Sequence, residues 1–180
     1  MKTDARIRYT KMVLRNALFQ CLKEKSIKDI TIKEVCDLAE VNRATFYKHY
    51  KDCYDVVREF EQEQLDEFRE LLESKDKFGK ELTADILEMI DNKKEINEAA
   101  RAGMLSDDFR QEMYNMALEY ALDDWKKMMP KATEQEVELA LTVMIEAALN
   151  VVVNHAGKYD RDTVVNFITN MINGCVKMYA

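Results

Sequence analysis

The sequence predicts an all-α protein: a small N-terminal module of three helices, then a larger helical domain. Three observations predict it. First, 180 residues contain only four Gly and one Pro, far below the usual usage of about 7% and 5%. All-β folds need Gly- and Pro-rich turns every 8–12 residues or so, and such turns are missing. Second, apolar residues make up 47% of the chain and recur at spacings of three and four, the period of a half-buried helix. Third, charge is segregated. Residues 1–51 carry 12 Lys and Arg against 6 Asp and Glu, a balance of +6, whereas residues 52–180 carry 15 against 28, a balance of −13.

The first helix is predicted over residues 6–24, on Ile7, Met12 or Val13, Leu14, Leu18, Phe19 and Leu22. Short helices fill residues 27–58. Thr31-x-x-Glu34 is a capping box that starts a helix at Ile32, ending at Ala39. Glu40-Val41 makes a turn, and Asn42 caps a second helix from Arg43 to Tyr50. Val35, Leu38, Ala39, Val41 and Phe46 are expected to close a small core between the two. A longer helix follows from Cys53 to about residue 74, and the first long break covers residues 74–80. The domain boundary is placed between 52 and 53, the long helix contributing to both sides of the break.

The larger domain starts with a helix over 82–100 and a turn at 101–105. Ser106 caps the next helix, with Asp107 and Asp108 at its positive end; Pro130 stops it after Met129. Thr133-x-x-Glu136 is a second capping box, opening a helix on Val137, Leu141, Ala148 and Val151 that Gly157 closes near His155. Asp160 caps the last helix, on Val164, Val165, Phe167, Ile168, Met171, Ile172, Cys175, Val176 and Tyr179. These last two helices carry more apolar surface than one core stripe needs. That predicts a homodimer through residues 133–156 and 160–179, as a four-helix bundle across a two-fold axis.

Several functions are excluded. No apolar run approaches the ~20 residues of a membrane span, and no signal-peptide core follows the first residues, so a cytoplasmic protein is expected. Cys21, Cys36, Cys53 and Cys175 lack C-x-x-C spacing and are read as small buried hydrophobes. The two histidines, His49 and His155, follow Phe46 and Val152 by three, so the Glu-x-x-His of di-iron bundles is absent. No zinc spacing and no nucleophile signature occurs. An enzyme is not expected, and neither a cofactor nor a metal is implied.

What remains is the pair of short helices in the basic quarter. Two capped helices joined by a tight turn form a helix-turn-helix, and such a second helix presents its N-terminal residues to base edges in the major groove of DNA. Arg43 suits a bidentate contact to guanine. Lys48 suits a base or a phosphate. Thr31, Lys33, Thr45, Tyr47 and Lys51 can donate to phosphates and set the register.

The run from Thr31 to Asp52, and above all Thr45-Phe46-Tyr47-Lys48-His49-Tyr50-Lys51-Asp52, resembles the N-terminal DNA-binding signature of the tetracycline-repressor (TetR) family. The resemblance covers residues 5–60 or so. It implies a homodimeric, ligand-responsive transcription factor, usually a repressor, on a palindromic double-stranded operator. It places Thr31, Thr45, Tyr47 and Lys51 at phosphate-contacting positions. Lys33, Arg43, Ala44 and Lys48 fall at or beside base-reading ones, and His49 near the DNA backbone. Two departures stand out. Glu40 replaces the usual turn glycine, and Cys53 replaces a common lysine. A small-molecule effector is implied but not identified; Met104, Met113, Tyr114, Met116, Tyr120, Trp125, Met144 and His155 are the candidate lining of its pocket. The competing reading is a non-enzymatic interaction module that uses the helix-turn-helix to hold another protein, for which the net charge of −7 is the best support.

Overall fold

The computed structural model describes residues 2–74, 80–91, 105–155 and 158–180. Among these it contains eight α-helices, one 3-10 turn and no strand. The helices are α1 (Lys2–Leu22), α2 (Ile32–Leu38), α3 (Arg43–His49), α4 (Cys53–Glu73), α5 (Lys80–Asp91), α6 (Asp107–Met128), α7 (Glu134–His155) and α8 (Arg161–Tyr179), with the 3-10 turn at Ile27–Asp29. The expected stretch 92–100, most of the turn at 101–105 and Gly157 lie outside the described residues. Among the described residues, no helix is long and apolar enough to cross a membrane.

The chain forms two compact units, one of residues 1–63 with 102–105, the other of 64–101 and 106–180. In the first, α1 packs on α2 and α2 on α3. Leu14, Leu18, Val35, Phe46 and Val56 are fully buried, and Phe60 nearly so. Phe19 meets Phe60 edge to face at 4.9 Å, the favoured aromatic geometry. Each such side chain removed from water contributes about 1.5–3 kcal/mol. Two expectations fail. Leu38 is not in this core but 45% exposed, and Cys36 and Tyr50 are buried in its stead. Leu38 closes the last turn of a seven-residue helix, where only the face carrying Val35 and Cys36 turns inward. Ile7 and Met12 are likewise exposed; the buried stretch of α1 begins only at Leu14.

The second unit is built on α6 against α7, α7 against α8 and α5 against α8. Its core holds Ala121, Trp125, Met129, Val137, Leu141, Ile145 and Ile172; a smaller cluster gathers Ala84, Ile86, Met89 and Val164 around Val165. The predicted caps form. Ser106 Oγ accepts from Phe109 N at 3.0 Å. Glu136 N donates to Thr133 Oγ1 at 3.3 Å, and Thr133 N to Glu136 Oε2 at 2.7 Å. Asp160 Oδ1 accepts from Thr163 N at 3.0 Å. Lys131 N donates to Tyr179 O at 3.1 Å, fastening the end of α8 to the turn after α6.

Candidate nucleic-acid interface

The interface is built from local hydrogen bonds upward. Thr31 and Glu34 complete the predicted capping box: Thr31 N donates to Glu34 Oε2 at 2.8 Å, and Glu34 N to Thr31 Oγ1 at 3.3 Å. Lys25 Nζ donates to the other carboxylate oxygen at 2.5 Å. The hydrogen bond from Lys25, with those from Thr31, holds the Glu34 carboxyl down at about 2. Helix α2 then ends in a Schellman turn. Val41 N donates to Cys36 O at 2.9 Å and Glu40 N to Asp37 O at 3.4 Å, the two bonds that define the motif. Such a turn needs a left-handed residue, and Glu40 supplies it at φ 54°. Asn42 Oδ1 accepts from Thr45 N at 2.8 Å and starts α3.

These bonds aim α3. Phe46 and Tyr50 point inward. Arg43, Ala44, Tyr47 and Lys48 lie exposed on its opposite face, and Lys51 follows, exposed, two residues beyond the helix. The structure therefore brings together five of the nine predicted contact residues. Thr31 and Lys33 are exposed at the start of α2, while Thr45 and His49 are half-buried. The hydroxyls of Thr31 and Thr45 already donate, to Glu34 Oε2 at 2.9 Å and to Asn42 Oδ1 at 3.0 Å. Each still has lone pairs, but a phosphate contact would have to recruit its proton from the cap.

No protein-family model and no curated protein matches the sequence. Solved structures do match the fold. A TetR transcriptional regulator from Streptococcus agalactiae 2603V superposes with a TM-score of 0.66 at 20% identity, over 96% of this chain and 98% of that one. The TetR family repressor AlkX from Dietzia sp. strain DQ12-45-1b, implicated in biodegradation of n-alkanes, superposes at 0.50 and 11% identity, over 94% and 96%. The chain has the TetR-family fold.

Within that TetR-family fold, the two departures acquire structural meaning. Glu40 does hold a backbone conformation that costs a non-glycine residue about 1–2 kcal/mol. Cys53 is buried, and burial pushes its thiol up to about 11, so it stands in the core where a lysine would reach solvent. Asp52 rather than residue 53 makes the first polar contact of α4, accepting from Asp55 N at 2.8 Å.

A further network escaped the sequence reading. Tyr50 donates its hydroxyl to Glu59 Oε2 at 2.5 Å, and Lys11 is ion-paired to the same carboxylate while lying 5.5 Å from the Tyr50 ring centroid. Arg15 pairs with Glu63 at 2.7 Å and lies 3.9 Å from Glu59. Burial, then the Glu59 carboxylate, pushes the Tyr50 phenol well above its ordinary range. Burial opposes the charge on Glu59, but hydrogen bonds from Lys11 and Tyr50 outweigh it and hold that carboxyl low. The network ties the residue after α3 to α1 and α4. Its trace in the sequence is two like-charge pairs of opposite sign, Lys11/Arg15 and Glu59/Glu63, each spaced by four.

The effector candidates distribute unevenly. Trp125 is fully buried in the second unit's core, with Tyr114 and Met144 packed against that core. Tyr114 and Thr142 share a hydroxyl–hydroxyl hydrogen bond of 2.8 Å between α6 and α7. Met113 is buried, and Met116 and Tyr120 are half-buried on α6. Met104 and the side chain of His155 lie outside the described residues.

Proposed function

We propose that this chain is a sequence-specific, DNA-binding transcription regulator, not an enzyme: a ligand-responsive repressor that acts in the cytoplasm as a homodimer on a palindromic operator. One observation carries the reading. A doubly capped helix-turn-helix in the basic part of the chain turns Arg43, Ala44, Tyr47 and Lys48 to solvent from one short helix, with Lys51 exposed just beyond its end, within a fold shared with TetR regulators. Arg43 reads a guanine and Lys48 a base or phosphate; Ala44 and Lys33 lie beside bases. Thr31, Thr45, Tyr47, His49 and Lys51 fix the register on the backbone. The DNA-binding module is residues 1–52, and residues 53–180 bind the effector and form the dimer.

Dimerisation is supported by exposed apolar residues at helical spacing. On α7 these are Leu139 and Val143; on α8 they are Phe167, Met171 and Met178. Gly174 lies on the α8 stripe, and a Cβ there would meet nothing within 4 Å. Soluble monomers seldom expose such rows unless something covers them. A second copy would space two recognition helices by about one turn of DNA, some 34 Å. Met113, Tyr114, Met116, Tyr120, Trp125 and Met144, with Met104 and His155, are the proposed effector lining; the effector would bind the DNA-incompetent spacing more tightly.

Selection of random duplex DNA by the purified protein, followed by sequencing, tests the reading. A two-fold-symmetric motif is expected. No enrichment by a folded dimer would overturn it in favour of a protein-interaction module.

A further inference from the structure

We propose that Glu59 is a positioning residue for DNA reading. By taking the Tyr50 hydroxyl and the Lys11 ammonium on its two carboxylate oxygens, it sets the angle at which α3 stands against α1 and α4, and base preference depends on that angle. The proposal rests on the DNA-binding reading above and deepens it, from the residues that face DNA to the group that aims them.

The need for such a group follows from how short α3 is. Its seven residues make about 10 Å of helix at 1.5 Å per residue. Of those residues only Phe46 is buried, and one inward side chain is a pivot rather than a fixed seat. The start of the helix is held locally, by the Asn42 cap and the turn at Glu40. Its far end is held from a distance. Tyr50 leaves the helix extended, at φ −139° and ψ 145°. Its buried ring lies 5.8 Å from that of Phe46, and its hydroxyl donates to Glu59 Oε2 at 2.5 Å.

Glu59 suits the task because both of its oxygens are used. Oε1 accepts from Lys11 and Oε2 from Tyr50, with Arg15 3.9 Å away. A carboxylate held from two sides does not turn freely about its own bond. Lys11 and Arg15 lie on α1, Tyr50 closes α3 and Glu59 lies on α4, so one carboxylate joins three helices. Arg15 stiffens the joint: it pairs with Glu63 at 2.7 Å and lies over the Phe60 ring at 5.5 Å, and Phe60 in turn meets Phe19. The DNA face is attached to the same point. Tyr47 and Lys48 occupy the last turn of α3 before Tyr50, and Lys51 follows directly, its backbone N–H on Asp55 Oδ2 at 3.1 Å. At 31% and 29% exposure, the Lys11–Glu59 pair adds little to folding, and apolar side chains of the same size would fill the space as well. Directional bonds differ in fixing one geometry, and contacts to base edges need groups held within about 0.5 Å.

The test measures affinity for the selected operator and for random duplex, with denaturant unfolding alongside. Tyr50→Phe keeps the buried ring and removes only the hydroxyl. Operator affinity should fall about tenfold, within the range for one base contact, while affinity for random duplex, set by phosphates, stays within about twofold. Glu59→Leu should lower the ratio of the two affinities at least as far. Adding Tyr50→Phe to it should change the ratio by less than about twofold, because the two changes break one connection. Glu59→Gln, whose amide oxygen still accepts from Tyr50, should keep more of the ratio than Glu59→Leu. A structural role alone would lower the unfolding midpoint and reduce both affinities together. That result, or an unchanged ratio in folded Tyr50→Phe, overturns the proposal while leaving the helix-turn-helix reading intact. A wild type that binds no DNA overturns both.

Discussion

The exposed faces of α3 and α8 carry opposite chemistry. On α3 the outward residues are Arg43, Ala44, Tyr47 and Lys48. On α8 an exposed apolar row runs through Phe167, Met171, Gly174 and Met178. Each helix also buries apolar residues, Phe46 in one case and Val165 and Ile172 in the other. The difference shows that burial inside one chain does not exhaust what a helix presents. A basic and aromatic face is stable in water and suits phosphate and base edges; an apolar face is costly in water and suits a second copy of itself.

The sharpest way to break the comparison is to charge the apolar face. Phe167→Glu with Met171→Glu should leave each chain folded but shift the dimer to monomer, and operator affinity should fall by more than 100-fold. Sedimentation and fluorescence anisotropy read the two effects. A dimer that persists would show that the partner surface is elsewhere.

Removing the core side chain behind the basic face comes next. Phe46→Ala should cost about 3–5 kcal/mol, as for other buried Phe truncations, measured by denaturant unfolding. A cost under about 1 kcal/mol would mean that α3 docks without it. On the outward side, Arg43→Ala should cost about 1–3 kcal/mol and relax preference at one base position. Tyr47→Ala and Lys51→Ala should instead weaken binding to all sequences alike. If Arg43→Ala leaves affinity and preference intact, the recognition helix is wrongly assigned.

Smaller effects probe the scaffold. Glu40→Gly should stabilise by about 1 kcal/mol by relieving the left-handed residue; destabilisation would show that the Glu40 side chain contributes more than its backbone costs. The Glu34 carboxyl lies below its ordinary 4.5, at about 2. Its contribution is therefore complete above about pH 4.5 and lost as pH falls toward 2. In Glu34→Gln the stability curve should be flatter across that window, and a curve parallel to wild type would remove Glu34 from the cap.

Much of this was legible in order along the chain. The boxes at Thr31 and Thr133 and the caps at Ser106, Asn42 and Asp160 all formed where the residue pattern placed them, because each bond closes within one helical turn. The tension at Glu40 was legible for the same reason, since a turn between two short helices has few conformations. The solvent-facing residues of α3 followed from a single helix and its cap.

Other features depended on how helices dock. Nothing in the sequence near residue 50 announces that Tyr50 donates to Glu59, or that Lys11, 48 residues before Glu59, closes the same network. Leu38 and Leu14 are the same residue type on helical patterns, yet one is exposed and the other buried. A helix sequence specifies which residues share a face, and hydrogen bonds within a turn specify where it begins and ends. Which face meets another helix, and which charges thereby become partners, is set by packing between segments far apart in the chain, and so only the tertiary structure decided it.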